Sequence, residues 1–211
     1  MIPLILRLKK SAHKEIAAAQ DLVVITLYDI FNNAVLHGGT SIWRCYKGNR
    51  FSEDIDAYIP KEIDKINSLF NVLLKKGFII KKKKIIKNSI FSVLYYRKTV
   101  VRFEAIFKKV NGSLKEYETS DGNFITVYTL EPEELIIEKI KTYLGRLKIR
   151  DLYDIFFLLR YVKNNEKVEN RVKELISDFK KPIDESELKV LIIEGLVPSS
   201  DKMISYIKNW I

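Results

Sequence analysis

Two carboxylates two residues apart, in Arg50-Phe51-Ser52-Glu53-Asp54-Ile55-Asp56, follow a glycine turn, Gly38-Gly39-Thr40. Together they offer the parts of a magnesium and phosphate site. Asp54-Ile55-Asp56-Ala57-Tyr58-Ile59 alternates polar and apolar residues and reads as a strand, so both carboxylates fall on one face and Ile55, Ala57 and Ile59 on the other. Hard oxygen donors of this kind, completed by water and substrate phosphates, are the usual holders of magnesium. Asn33 to His37 reads as a short strand, the two glycines as a tight turn, and Thr40 to Tyr46 as the first turns of a helix. Unpaired N–H groups and the positive end of the dipole at such a helix start favour an anion, and glycine lets a phosphate come close.

Taken singly, a Gly-Gly-Thr turn is most often a turn and helix cap, and Asp-x-Asp a solvated strand edge. Joined at this spacing, they resemble the signature of the nucleotidyltransferase superfamily that includes DNA polymerase beta, and most of all its AbiEii-type toxin branch. Lys139, followed by Arg150-Asp151-Leu152-Tyr153-Asp154, is similar to that branch's second signature, a lysine with Arg-Asp-x-x-Asp at helical distance. The likeness spans roughly residues 30 to 160.

The resemblance implies transfer of a nucleoside monophosphate from a nucleoside triphosphate, with pyrophosphate leaving and transfer RNA as the acceptor in some members. Residue by residue, it makes Gly38, Gly39 and Thr40 triphosphate contacts, Asp54 and Asp56 metal ligands, Lys139 a phosphate contact and Asp151 a further active-site residue. Arg50 and Ser52 match the motif on the nucleotide-binding side. The implied cofactor is magnesium, with manganese as a substitute, and the implied partner is a cognate antitoxin. Members commonly carry a third carboxylate on a later strand, and Glu104 is the candidate for it, catalytic and metal-binding; its alternative role is pairing with Arg102 or a cross-strand lysine.

The elements needed to position these groups are legible. Ser11 to Phe31 carries Ile16, Ala19, Val23, Leu27 and Ile30 near helical spacing, and Lys61 to Lys76 forms a second amphipathic helix stopped at Gly77. Phe78 to Ile86, Ile90 to Tyr96 and Thr99 to Phe107 read as three antiparallel strands. In the last, Arg102, Glu104 and Ile106 share a face opposite Val101, Phe103, Ala105 and Phe107. Lys81 to Lys84 mark an edge strand, either as protection against sheet aggregation, the preferred reading, or as a ridge that tracks phosphates.

Phe124 to Thr129 is a further strand, and Glu131-Pro132-Glu133-Glu134 starts a helix. There Leu135, Ile136, Ile140, Tyr143 and Leu144 form a core stripe from which Lys139 departs toward a polar face. Asp151 and Asp154 share a helix face, and Arg150 sits four residues before Asp154, the spacing of a helix ion pair. The segments near 167–179, 185–194 and 200–211 are helical, with Ser199-Ser200-Asp201 as a cap for the last. The fold expected is α+β: a nucleotidyltransferase domain of mixed sheet and helices over 1–128, then a helical C-terminal domain over 129–211, with the nucleotide between them.

Composition sets the limits. The 211 residues are 47% hydrophobic, enough for a core, and a net charge of +10 favours a polyanionic partner, nucleic acid or anionic lipid. One cysteine, Cys45, excludes an internal disulfide and a cysteine zinc site and fits a reducing cytoplasm. The run Ile2 to Leu6 is cut short at Arg7, and no apolar run is long enough to span a bilayer. His13 and His37 lack metal-ligand spacing, and a P-loop is absent. Of the other readings, a catalytically silent RNA-binding module leaves the intact acid pair unexplained, and a sugar transferase needs neither the glycine turn nor the downstream lysine. Transfer to a protein hydroxyl keeps the same chemistry with another acceptor. The base of the nucleotide is not legible from sequence.

Overall fold

In the computed structural model, which describes residues 2–211, the chain divides into two compact units: Met1–Lys47 with Phe51–Thr129, and Gly48–Arg50 with Leu130–Ile211. Among the described residues no helix is long and apolar enough to cross a membrane.

The first unit opens with α1 (Leu4–Arg7) and α2 (Ser11–Ile30), followed by β1 (Val35–His37), α3 (Gly38–Cys45), β2 (Asp54–Ile59) and α4 (Ile63–Lys75). Then come β3 (Phe78–Ile85), β4 (Ser89–Tyr96), β5 (Thr99–Phe107), β6 (Ser113–Glu118) and β7 (Phe124–Thr129). One mixed sheet holds all these strands in the order β3-β4-β5-β2-β1-β7-β6, with β2 parallel to β5, β1 parallel to β7, and the other neighbours antiparallel. The alternation along β2 and β5 sends Ile55, Ala57, Phe103 and Ala105 into a core shared with Val23 and Leu27 of α2 and Leu69 and Phe70 of α4. Burial of the larger of these side chains, such as Ile55 and Phe103, is worth roughly 1.5–3 kcal/mol each, which fixes the register, because a slip by one residue would turn the whole set outward.

That register decides which residues face out. Asp54, Asp56, Arg102 and Glu104 stand on the face opposite the core, Asp54 beside Arg102 and Asp56 beside Glu104. α3 is pinned by its own arginine. Arg44, fully buried, donates to the backbone oxygens of Glu118 (2.9 Å) and Ala17 (3.0 Å) and to Asp21 Oδ1 (3.0 Å), with its guanidinium 4.1 Å from the Trp43 ring centre. The helix that starts at the glycines is therefore tied to α2 and to the end of β6.

The second unit is helical: α5 (Pro132–Arg146), α6 (Ile149–Leu158), α7 (Glu166–Ser177), α8 (Leu188–Leu191) and α9 (Ser200–Trp210), with 3-10 turns at Leu159–Tyr161 and Glu185–Glu187. α5 begins in a capping box, Glu131 and Glu134 satisfying each other's backbone donors, with Pro132 in the first turn. Ser199 caps α9 by accepting from the backbone N–H of Lys202. Gly48–Arg50 joins this unit by a backbone bridge between Arg50 and Ile192 and a 2.8 Å bond from the Ile193 N–H to the Asn49 oxygen.

Several details depart from the sequence reading, among them the following. The glycines are not a turn preceding the helix but its first two residues, with Gly38 at φ +70°. Ser113–Glu118 is a strand that the sequence reading does not contain. Lys139 is buried, not set on a polar face.

Candidate active site

Each outward group of the first unit is held by a definite contact. In the parallel pairing of β2 and β5, Asp56 is directly opposite Glu104, and in the antiparallel pairing of β1 and β2 it is opposite His37. Gly38 follows His37 immediately, and a Cβ there would meet Asp56 Oδ2 at 2.2 Å. Only glycine lets the start of α3 and the carboxylate occupy this space, and the positive φ of Gly38 asks for the same residue. His37 itself stacks on Tyr58, ring centres 4.2 Å apart.

Asp54 takes two bonds from Arg102, Nε to Oδ1 at 2.5 Å and Nη2 to Oδ2 at 3.1 Å. Glu104 therefore does not take Arg102 as its hydrogen-bonded partner. Partial burial first, then the charges of Asp56 and Asp54, raise the Glu104 carboxyl above the usual glutamate range, against the opposing pull of Arg102 and His37.

Thr40 is buried and its hydroxyl donates to the Asp54 backbone oxygen, with Gln20 Nε2 3.4 Å away. Gln20 Nε2 also donates to the Ser52 backbone oxygen at 2.9 Å. Thr40 and Ser52 thus fix the entry to β2, and what Thr40 has left for a ligand is its backbone N–H. Gly39 is buried at the same helix start.

Among the described residues no three His, Cys, Asp or Glu side chains form a metal cluster of their own. Magnesium asks for less: one or two carboxylates, with substrate phosphates and water in the remaining positions. Asp56 and Glu104 in register, with Asp54 one step along the same face, give a donor set of that kind, and the repulsion by Asp56 and Asp54 that adds to burial in lifting Glu104 is what a cation would relieve. The residues fit the ion.

In the second unit, five charged groups converge. Asp154 takes Arg50 Nε on Oδ1 at 2.7 Å and Nη2 on Oδ2 at 2.8 Å, and Lys139 Nζ lies 2.7 Å from the same Oδ2. Asp151 takes Arg146 Nε at 2.7 Å and Nη2 at 2.9 Å, with Lys139 Nζ at 3.3 Å. Asp151 and Asp154 are buried, as are Arg50 and Lys139, while Arg146 reaches solvent. Burial alone would raise the Asp154 carboxyl, but Arg50 and Lys139 outweigh it and hold it below the usual aspartate range. Three cations face two carboxylates, so the cluster keeps a positive excess.

The sequence matches the family described as the nucleotidyl transferase AbiEii toxin of type IV toxin–antitoxin systems over residues 21–196. The chain belongs to the AbiEii family. It is accordingly a nucleotidyltransferase of a toxin–antitoxin family. No curated protein matches the sequence significantly.

Solved structures share the fold of this AbiEii chain. JHP933 from Helicobacter pylori superposes with a TM-score of 0.67 at 18% identity, covering 95% of this chain and 90% of that one. MenT4, a nucleotidyltransferase toxin of Mycobacterium tuberculosis H37Rv, superposes with a TM-score of 0.66 at 17% identity, covering 98% of this chain and 87% of that one.

Four residues that sequence reasoning left out or underrated contribute to these two clusters. Gln20 and Arg102 lock β2 from outside its own sequence neighbourhood. Arg146 and Asp154 complete the buried charges around Lys139. The Arg150 to Asp154 spacing misdirects, because Asp154 is bonded by Arg50, 104 residues away in sequence. In the AbiEii chain a consecutive stretch thus splits its tasks: Arg50 binds within the helical unit, Phe51 stacks on His13 in the first, and Ser52 is held by Gln20.

Proposed function

We propose that this AbiEii protein moves a nucleoside monophosphate from a nucleoside triphosphate to an RNA hydroxyl, with transfer RNA the favoured acceptor, magnesium (or manganese) as cofactor and an antitoxin as its regulator. The observation that carries the reading is the outward row of carboxylates, Asp54 and Asp56 on β2 with Glu104 in register on β5, set against the glycine start of α3.

The backbone N–H groups of Gly38, Gly39 and Thr40 stand at a helix start where an anion is favoured, and they would orient the triphosphate for in-line departure of pyrophosphate. Asp54, Asp56 and Glu104 would hold the metal, which when bound supplies neutralisation of developing phosphate charge and a lower pKa for the attacking hydroxyl. Glu104, directly opposite Asp56, is the candidate to take the proton that this hydroxyl gives up. Arg102 would keep Asp54 in a fixed orientation. Lys139, set in a cluster with excess positive charge, is the phosphate contact of the helical unit; Asp151 and Asp154 hold it in place, and Arg50 fixes Asp154, as positioning residues.

The basic character of the chain, +10 overall, supports a polyanionic acceptor. The test is incubation with magnesium, each α-phosphate-labelled nucleoside triphosphate in turn, and total RNA, followed by separation of RNA and protein. Label on small RNA supports the reading and names the base. Label on protein moves the acceptor to a protein hydroxyl, and no label with any nucleotide contradicts the proposal.

A further inference from the structure

The lysines of β3 have a direction that their sequence does not disclose. Lys82 is paired with Val93, Lys83 with Ser92 and Lys84 with Phe91, and a bulge lies between Ile80 and Lys82. Ser92 and Leu94 are buried under the helices, so Phe91, Val93 and Tyr95 stand on the opposite face, the one that carries Arg102 and Glu104. The bulge interrupts the alternation of β3 and brings two adjacent lysines to that face: Lys81 Nζ is 5.5 Å from the Tyr95 ring centre and Lys82 Nζ 5.3 Å from that of Phe91. Lys83 goes the other way, donating to Asn67 Oδ1 of α4 at 3.1 Å and lying 4.4 Å from the Phe70 ring centre.

Across the sheet this makes continuous rows. One runs Asp56, Glu104, Phe91, Lys84 over β2, β5, β4 and β3; the next runs Asp54, Arg102, Val93, Lys82. With strands about 4.8 Å apart, Phe91 lies about 10 Å from Asp56. Along β5 the same face is open, with Val100 47% and Ile106 41% exposed. Half-buried rings with lysine ammoniums over them, on a face continuous with a carboxylate site, have the chemistry of a single-strand nucleic-acid platform, in which bases stack on rings and phosphates lie along a positive edge.

We propose that the outer face of β3, β4 and β5 binds the single-stranded end of the acceptor RNA, with bases stacked on Phe91 and Tyr95 and phosphates along Lys81, Lys82 and Lys84. The acceptor role rests on the nucleotidyltransferase reading above; the surface itself does not. Protection of the sheet edge explains lysines on β3 but not their placement over rings two strands from the carboxylates.

The test uses the full chain and a short fluorescein-labelled single-stranded RNA, with binding followed by anisotropy at several salt concentrations. Phe91→Leu and Tyr95→Leu, which keep apolar bulk, are expected to weaken binding about tenfold each, the size of one lost base stack. K82A and K84A together should lower the salt slope by about 1.4, two phosphate contacts on a single strand. Lys83→Ala removes the same charge from the other face and is expected to leave affinity within about twofold. Unchanged unfolding temperatures keep the comparison clean. Equal losses in Lys83→Ala and K82A, unaltered affinity in the leucine variants, or no binding by the wild type overturns the platform. Label transfer run on the same proteins judges the functional reading separately: transfer that persists while the variants bind normally refutes the platform alone.

Discussion

Gly38 and Asp56 share a space that admits no side chain at position 38: an added Cβ would sit 2.2 Å from Oδ2 of the carboxylate, and the backbone of Gly38 is at φ +70°. The glycine thus fixes how closely the start of α3 approaches the carboxylates of β2. Gly38→Ala is expected to push Asp56 aside and strain the turn at once. Backbone strain of this kind costs about 1–2 kcal/mol, a small shift in unfolding temperature. Activity should fall far more, about a hundredfold, because a displacement of about 1 Å in a positioned group has that effect. Steady-state rates and thermal unfolding on the same variant check this; a loss of stability without loss of rate would separate Gly38 from the site.

Glu104 makes the site sensitive to pH. Its carboxyl is raised in the folded protein, by burial first and then by Asp56 and Asp54. The folded state therefore holds its proton more tightly than the unfolded chain does, and the associated stability is present below the unfolded value, about 4.3, and lost as pH rises through the folded one. Glu104→Gln removes this loss. The variant should unfold at a higher temperature than wild type at neutral pH, with the difference shrinking toward pH 4, while transfer is abolished. A difference independent of pH would show that the Glu104 carboxyl is not raised in the folded protein.

Magnesium should act in the opposite sense to that repulsion. Titrated into the protein together with a non-hydrolysable nucleoside triphosphate, it is expected to raise the unfolding temperature of wild type, and to do so much less for Asp54→Asn or Asp56→Asn. An equal rise in all three proteins would place the ion elsewhere.

The cluster around Lys139 behaves differently, since its contribution is to stability as well as to charge. Asp154→Asn leaves Arg50 and Lys139 buried without their main counter-charge and should cost about 3–5 kcal/mol. Arg50→Met should also destabilise, and the double variant should cost less than the two losses added, because the groups bond directly. Arg50 and Lys139 hold Asp154 below the usual aspartate range, so the stability it supplies is present above about pH 3.9 and lost as pH falls through the folded value. Acid unfolding of Asp154→Asn should accordingly be flatter than that of wild type. Additive losses in the double variant would mean that the pair is not coupled.

What the sequence discloses divides along a physical line. β2, β5 and β7 are legible to the residue because alternation and β-branched content act locally, and the acid pair lies on the face that the alternation requires. β6 escapes because Ser113-Leu114-Lys115-Glu116-Tyr117-Glu118 is an edge strand of polar residues, with Tyr117 and Glu118 its only buried positions. Lys139 reads as solvated because burial of a lysine depends on carboxylates that another helix delivers, and Arg50 finds Asp154 across 104 residues. Glu104 is visible as a face residue, whereas its place opposite Asp56 depends on a parallel pairing that no local pattern encodes. The bulge that turns Lys81 and Lys82 to one face is likewise a property of the pairing with β4 and not of the lysine run.

The most direct measurement of the central claim compares two labels in one reaction: a nucleoside triphosphate labelled at the α-phosphate and the same nucleotide labelled at the γ-phosphate, each with magnesium and RNA, for wild type and Asp56→Asn. The account predicts that α-label enters RNA, that γ-label appears only as pyrophosphate, and that both signals fall at least a hundredfold in the variant. Label from the γ position on RNA, or α-label transfer undiminished by Asp56→Asn, would contradict it.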